Sequence, residues 1–449
     1  MVVGGGAAGI SAARSARRRG ARVLLVQAGP IGGECTFTGC VPSKALIAAA
    51  ALGLPFEAAM RRAHDAIATI AATETDAVFT REGIDVVHGA GNFRSPHAID
   101  VDGRCITASR FVIATGSRPA VPGIDGLDSI PYLTNENVFD LPALPASLAI
   151  LGGGAIGCEL AQAFARLGTA VTIVEARVRL LADEDPDASA VVESALAADG
   201  VTLRTGCTVR RAQRTGATVR LHLDDGATIE GDRLLLATGR QGNTTGLGLE
   251  AAGVKVVHSF VVTDRGMATT ARGIWAAGDV NGRLQFTHAA DEMGRVAAAN
   301  ALSRSPRRRR FDASVIPRVT FTSPEVAHVG VTEAGCPPGA RVAFLPMSEV
   351  DRAVISGDTR GFVKLIAGPR PWLRRAGGGR IIGATIVAER AGDMMAEPAL
   401  AMRTGMFAGR LAQTVHAYPT WSIAVQQAAA QLFFEIGGRR ARPAQRAEG

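Results

Sequence analysis

The stretch of the chain richest in reactive groups is Gly32-Gly33-Glu34-Cys35-Thr36-Phe37-Thr38-Gly39-Cys40-Val41-Pro42-Ser43-Lys44. Two cysteines with four residues between them fit successive turns at a helix start. There they lie close enough for a strained, reversible disulfide, and the helix dipole lowers the pKa of a thiolate. Zinc ligation is the rival reading. It needs two more Cys or His ligands at clustered spacing, and none occurs nearby. The other four cysteines, Cys105, Cys158, Cys207 and Cys336, each stand alone and read as small buried residues.

Two glycine loops supply the next chemistry. Met1-Val2-Val3 runs into Gly4, Gly6 and Gly9 in G-x-G-x-x-G spacing, followed by a helical segment from Ile10 to Arg19. Gly4 and Gly6 allow a tight turn and a close backbone approach to a pyrophosphate, Gly9 lets helix and strand pack, and the helix N-terminus attracts the phosphate charge. The following strand, Arg22 to Val26, ends at Gln27, where such loops usually carry an acid for a ribose hydroxyl; a Gln amide can also hydrogen-bond a ribose. The pattern returns as the strand Ser147 to Leu151, then Gly152, Gly154 and Gly157, a helix to Leu167 and a strand Ala170 to Val174. Here the acid is present as Glu175. The two copies are offset by 148 positions, and together they imply two dinucleotides. The charge of Glu175 favours a free 2′-hydroxyl, hence NADH, while Arg177 and Arg179 follow within reach of a 2′-phosphate.

These elements sit in a chain of 449 residues, 47% hydrophobic and 20% charged, which excludes bulk disorder and allows two to four domains. Fifty-three glycines are a surplus that the phosphate loops partly explain. The net charge of +8 comes almost wholly from arginine, since Lys44, Lys255 and Lys364 are the only lysines. No basic stripe with interleaved aromatics accompanies it, so no nucleic-acid partner is expected, and Arg307 to Arg310 reads as a solvated connection. No apolar run reaches the roughly 18 residues of a membrane span. A soluble, cytoplasmic protein without membrane partner or signal peptide is expected. The first strand has about three residues against the usual five or six, which leaves room for a longer natural N-terminus.

At the cysteine segment the sequence resembles the flavoprotein pyridine nucleotide-disulfide oxidoreductases, the class I family of dihydrolipoamide dehydrogenase, glutathione reductase and mercuric reductase. Further marks are Ala114-Thr115-Gly116-Ser117-Arg118-Pro119, Ala237-Thr238-Gly239-Arg240 and Trp275-Ala276-Ala277-Gly278-Asp279. The resemblance implies an α/β fold: two Rossmann-like FAD- and NAD(P)-binding domains plus a C-terminal α+β dimerisation domain. The expected boundaries are 1–121 for the first part of the FAD domain, 122–244 for the NAD(P) domain, 245–311 for the FAD-domain return and 312–449 for the interface domain. FAD and NAD(P)H are the implied cofactors. Gly33, Lys44, Thr115, Gly116, Asp279 and Thr287 join the first loop at FAD, with Asp279 on the ribityl chain, and Gly239 joins the second at the nicotinamide nucleotide.

By the same resemblance electrons pass from NAD(P)H through flavin to a Cys35–Cys40 disulfide and on to a disulfide-type substrate. Cys40 is implied as the thiolate beside the flavin, Cys35 as the interchange thiol, and Lys44 with Glu159 as an ion pair near the flavin N5. Active sites shared between the subunits of a homodimer are implied as well. The pattern breaks at Val415-His416-Ala417-Tyr418-Pro419-Thr420-Trp421-Ser422-Ile423, where Tyr418 and Ile423 stand at the family's His and Glu positions. A phenol with an ordinary pKa near ~10 is a poor base but a serviceable proton donor. His416, on the same side of an extended segment, is a candidate substitute. Phe321-Thr322-Ser323-Pro324-Glu325-Val326 and the run from Asp351 to Lys364 lean toward the mercuric reductase branch. Members of that branch use a C-terminal cysteine pair, whereas the last cysteine here is Cys336, so efficient mercury reduction is not expected. A quinone or metal-ion reductase and a non-catalytic redox sensor are the alternatives to a disulfide reductase.

Overall fold

The computed structural model describes residues 1–216, 218–369 and 376–445. It packs as two compact units. The first is built from Met1–Gly123, Tyr132–Leu144 and Leu235–Ala313, the second from Ile124–Pro131, Pro145–Leu234 and Ser314–Gly449.

The first unit is organised by β1 (Val2–Val3), α1 (Ala7–Arg18) and β2 (Val23–Gln27). Strand β1 lies at the centre of a parallel sheet ordered Ile274–Ala276, Phe111–Ile113, β1, β2, Ile84–His88. A central strand must be apolar on both faces, and Val2, Val3, Leu25, Val26, Phe111 and Ile113 are all buried. The helix α2 (Gly33–Phe37) carries Cys35, and α3 (Cys40–Ala51) opens on Cys40. The strand Ser117–Pro119 pairs antiparallel with Arg240–Gly242, so the chain re-enters this unit beside the point where it left. The helix Thr287–Leu302 lies against α1, and Ser11 Oγ donates to the Asp291 carbonyl across the pair at 2.9 Å.

In the second unit the βαβ pattern recurs: Ser147–Leu151, the helix Ala155–Arg166 and Ala170–Glu175, with the two strands parallel. Its sheet is ordered Thr202–Thr205, Ala170–Glu175, Ser147–Leu151, Arg233–Leu236. The C-terminal part is a six-stranded antiparallel sheet in the order Arg318–Thr320, Glu325–Gly330, Arg380–Ala388, Phe362–Gly368, Arg341–Pro346, Arg442–Pro443. Its core gathers Val329, Leu345, Val363, Leu365 and Ile386 with residues such as Leu411, Val425 and Leu432 from the flanking helices and their ends. No helix among the described residues is long and apolar enough to cross a membrane.

Candidate active site

Both glycine loops are built for a ligand's phosphates. Gly4 has φ +106°, and a Cβ there would stand 2.2 Å from the Ala114 carbonyl oxygen, so only glycine fits between β1 and the Ala114–Thr115 turn. Helix α1 starts after Gly6 with no side-chain cap, and Ala155–Arg166 starts after Gly154 in the same way. Uncapped helix N-termini at G-x-G-x-x-G turns leave N–H donors and a positive dipole for a pyrophosphate. At the end of β2, Gln27 Oε1 accepts from the Gly5 N–H at 2.6 Å and its Nε2 donates to the Pro30 carbonyl at 3.0 Å. In the second copy Glu175 Oε2 accepts from the Gly153 N–H at 2.6 Å, and Oε1 from the Arg177 N–H at 2.8 Å.

The redox helix α2 is pressed against the first loop. Gly33 has φ +66°, and a Cβ on it would lie 2.7 Å from the Cα of Gly6. That contact sets Cys35 and Cys40 next to the nucleotide cradle. Cys35 is half-buried, and Cys40 is exposed at the first position of α3. Cys40 Sγ lies 3.5 Å from the Thr287 hydroxyl, and Thr287 opens the helix Thr287–Leu302. Two helix N-termini therefore converge on one sulfur, an arrangement that favours its anionic form. The hydrogen bond with the Cys40 sulfur, and then burial, push the Cys35 thiol up. Neighbouring sulfurs do not both ionise, so the pair has the asymmetry of one thiolate and one thiol.

Behind the pair lies a polar chain within the same unit. Glu34, next to Cys35, is ion-paired with Arg240, and its Oε1 accepts from Asn135 Nδ2 at 2.6 Å. Arg240 Nε donates to Ser117 Oγ at 2.7 Å, and Ser117 Oγ donates to Asp279 Oδ2 at 2.8 Å. Burial raises the Asp279 carboxyl above the usual range, against the opposing effects of Ser117 and Arg240. Thr115 and Asn243 bond each other, Thr115 Oγ1 donating to the Asn243 carbonyl at 2.8 Å and Asn243 Nδ2 to the Thr115 carbonyl at 3.0 Å. Gly116, Gly239 and Gly278 each follow closely on a strand, and all three have positive φ.

Lys44 lies on α3 in the first unit. Glu159 belongs to the second, on Ala155–Arg166, where its buried carboxylate accepts from the Phe321 N–H at 2.8 Å. The proton-shuttle candidates also lie in the second unit. His416 is held from both sides, Nδ1 at 2.9 Å from the Thr414 carbonyl and Nε2 at 2.9 Å from Glu397, and its side chain is only 7% exposed. Tyr418 is 68% exposed, and its hydroxyl donates to Asp351 Oδ2 at 2.8 Å. That carboxylate raises the phenol's pKa further above its ordinary value. Ile423 opens the helix Ile423–Ala430 at the place of the missing acid. Among the described residues no group of three or more His, Cys, Asp or Glu is placed to hold a metal ion.

Sequence reading did not single out Glu34, Asn135, Arg240, Asp351 or Glu397 as site residues. A carboxylate directly beside a reactive cysteine was the available signal for Glu34. Asn135 and Glu397 meet their partners only through long-range folding.

Comparison with known proteins agrees with this arrangement over the length of the chain. Residues 1–294 match the family described as pyridine nucleotide-disulphide oxidoreductase, and residues 316–429 match its dimerisation domain. A mercuric reductase of Streptomyces lividans is 37% identical, covering 95% of this chain and 94% of its own. A dihydrolipoyl dehydrogenase of Thermus scotoductus is 32% identical, covering 96% of each. Among solved structures, LpdA of Mycobacterium tuberculosis superposes with a TM-score of 0.88 at 32% identity, covering 96% of this chain and 99% of its own. The HOCl-induced flavoprotein disulfide reductase RclA of Escherichia coli, as a Cu(II) complex, gives 0.85 at 30% identity, covering 94% and 98%. The chain belongs to the pyridine nucleotide-disulphide oxidoreductase family, and it is an FAD-dependent enzyme that passes electrons from NAD(P)H through flavin to a redox-active cysteine pair.

Proposed function

We propose that this enzyme is a cytoplasmic homodimer that takes its electrons from NADH and delivers them to a disulfide-type substrate at Cys35. The reading is carried by the Cys35–Cys40 pair, with Cys40 at a helix start and Thr287 opening a second helix against it. Bound FAD would accept hydride from the nicotinamide and hand two electrons on to the pair. Gly4, Gly6, Gly9, Gly33, Thr115, Gly116, Asp279 and Thr287 are assigned to FAD. Gly152, Gly154, Gly157, Glu175 and Gly239 are assigned to the nicotinamide nucleotide. The domain limits proposed are 1–121 and 245–311 for FAD, 122–244 for NAD(P) and 312–449 for the subunit interface.

Once the pair is reduced, the Cys35 sulfur attacks one sulfur of the substrate disulfide and releases the other as a thiol. Cys40 then attacks Cys35, releases the second thiol and restores the internal disulfide. One NADH and one proton balance the two thiols formed. Lys44 and Glu159 are each assigned as catalytic residues. Tyr418 of the partner subunit supplies a proton donor at the position where the family resemblance implies a His, and its bond to Asp351 raises the phenol's pKa further. His416, already bonded at both ring nitrogens, is assigned to holding that segment.

Preference for NADH is supported by the Glu175 carboxylate and by what occupies the two nearby arginines. Arg177 pairs with Asp183 at 2.6 Å, and Arg179 Nη2 donates to the Ala182 carbonyl at 2.8 Å. A 2′-phosphate would have to displace these partners.

Anaerobic titration of the purified flavoprotein with NADH and NADPH, followed by disulfides, quinones and metal ions in turn, tests the reading. NADH is expected to bleach the flavin and raise a long-wavelength thiolate–flavin band, and a disulfide to reoxidise it. Quinone turnover that survives Cys35→Ser would transfer the function to a quinone reductase. Turnover of metal ions alone would transfer it to the chemistry of the mercuric reductases it is similar to.

A further inference from the structure

We propose that Glu34 and Arg240 are positioning residues that fix the redox helix and set, through their opposite charges, how readily the cysteine pair ionises. The inference rests on the redox role assigned above to Cys35 and Cys40.

The helix α2 has five residues, far too few to hold its shape by its own hydrogen bonds. Its place is fixed from outside, and the side chain that does most of this is Glu34. One carboxylate oxygen pairs with Arg240; the other accepts from Asn135 Nδ2, which also reaches the Thr38 carbonyl at 3.2 Å, just past the helix end. The clamp thus grips both sides of Cys35. Arg240 is anchored in turn by its strand pairing with Ser117–Pro119 and by the bond from Nε to Ser117 Oγ.

The charge balance gives the clamp a chemical consequence. Arg240, its side chain 12% exposed, serves two carboxylates: Glu34 at its Nη2 and Asp279 Oδ2 at 3.8 Å from its Nε. Burial works against the ionised form of Glu34, and Arg240 is the first influence opposing it. Two carboxylates share one guanidinium behind the site where a thiolate must form, so removing either sign changes the local charge. Partial burial keeps solvent from screening this charge as it would at the surface. The other charged or titratable groups of the surrounding elements include Lys44 on α3, Glu74, which accepts from Thr36 Oγ1 at 3.0 Å, and, on the helix Thr287–Leu302, His288 and the cluster of Arg295 with Asp291 and Glu292. Arg118, on the strand paired with that of Arg240, donates to Asn243 Oδ1 at 3.3 Å. The helix Phe56–Ala71, also packed on α2, keeps Glu57, Arg61, Arg62, His64 and Asp65 exposed.

Opposite charges make opposite predictions. Glu34→Gln removes a negative charge near the thiols, and Arg240→Gln removes a positive one, whereas both loosen the same clamp. A merely structural role therefore moves both variants in one direction; an electrostatic one splits them.

The experiment uses the FAD-loaded protein, reduced anaerobically with NADH, and follows the thiolate–flavin band against pH. A parallel arm alkylates the phosphine-reduced protein with iodoacetamide and reads the pH midpoint at Cys35 by mass spectrometry. In both arms Glu34→Gln is expected to lower the midpoint by about half to one pH unit and Arg240→Gln to raise it comparably. Glu34→Asp should return it toward the native value. If Arg240→Gln fails to fold, Arg240→Lys, which keeps the charge, must stay near native while Glu34→Gln still falls. Equal or same-direction shifts in the two charge-removing variants overturn the inference. A missing band in the native protein, with the alkylation midpoints still split, overturns the assigned flavin contact and leaves the clamp standing.

Discussion

Gln27 and Glu175 hold the same post in two copies of one unit: each accepts, at 2.6 Å, the N–H of the middle glycine of its own loop, Gly5 and Gly153. An amide serves one loop and a carboxylate the other. The geometric task is common to both residues, so they differ in charge, which on the proposed reading faces a ribose. Glu175→Gln converts the second copy into the first. It should keep the loop and lose the repulsion of a 2′-phosphate. The ratio of kcat/KM for NADH over NADPH is expected to fall roughly tenfold, in line with about 1.4 kcal/mol for a lost charge effect. Steady-state kinetics with both nucleotides measures it, and an unchanged ratio would remove Glu175 from cofactor selection.

Tyr418 and Asp351 form the second testable relationship. The chain holds only two tyrosines, Tyr132 and Tyr418, so a Tyr132→Phe background leaves one phenol to titrate. Ultraviolet tyrosinate absorbance should show Tyr418 ionising above its ordinary value of about 10, because deprotonation breaks its bond to a carboxylate and brings two negative charges together. Asp351→Asn is expected to bring the midpoint back toward that value. A midpoint that ignores the substitution would show that the Asp351 bond does not control the phenol.

The spacing of glycines and strands made both copies of the βαβ pattern legible in advance. The strand Ser147–Leu151 has the expected limits, and α1 begins three residues earlier than the apolar pattern indicated because the helix starts on the small residues after Gly6. Such features are local, and local chemistry writes them into adjacent positions. The clamp behind Cys35 is different in kind. Asn135 is 101 residues from Glu34, and Arg240 is 206, so no window of sequence holds the set. His416 shows the same limit. Its alternation with Tyr418 placed the two on one side of an extended segment, yet a carboxylate 19 residues upstream draws the imidazole inward while Tyr418 stays in solvent.

Glu325 carries a pH dependence of stability. Burial raises its carboxyl to about 7, against the opposing bond from the Gly392 N–H at 2.9 Å. The folded pKa lies above the unfolded one, so the folded state holds a proton that the unfolded chain has released. Its stabilising contribution is complete below the unfolded value of about 4.5 and disappears as pH rises through about 7. Glu325→Gln keeps an acceptor for Gly392 and cannot ionise. The variant should match the native protein near pH 5 and exceed it at pH 8 by about 1–2 kcal/mol, less than the full shift implies because the carboxyl keeps some water. Thermal midpoints of both proteins at the two pH values test this, and an equal gap at both would exclude titration of Glu325.

Lys364 is the ionic centre of the second unit. Its ammonium bonds both oxygens of Asp185 at 2.9 Å and Asp187 Oδ2 at 2.8 Å, with Glu333 at 3.5 Å. The Lys364 and Asp185 side chains are only 3% and 2% exposed. Asp185 also caps the helix Pro186–Ala198, accepting from the Asp187 N–H at 3.0 Å, so one ion pair ties that helix to the C-terminal strand Phe362–Gly368. The pair itself is a modest source of net stability, because desolvating two ions costs nearly what their attraction returns. Removing one partner is another matter, since the other is then left charged and dry. Lys364→Met should cost about 3–5 kcal/mol by denaturant unfolding. Adding Asp185→Asn to it retains the helix cap and discharges the stranded carboxylate, so the double variant should be more stable than Lys364→Met alone. Strict additivity of the two losses would mean that the Lys364–Asp185 charges are uncoupled, and the buried bridge would then have no energetic role in joining helix to strand.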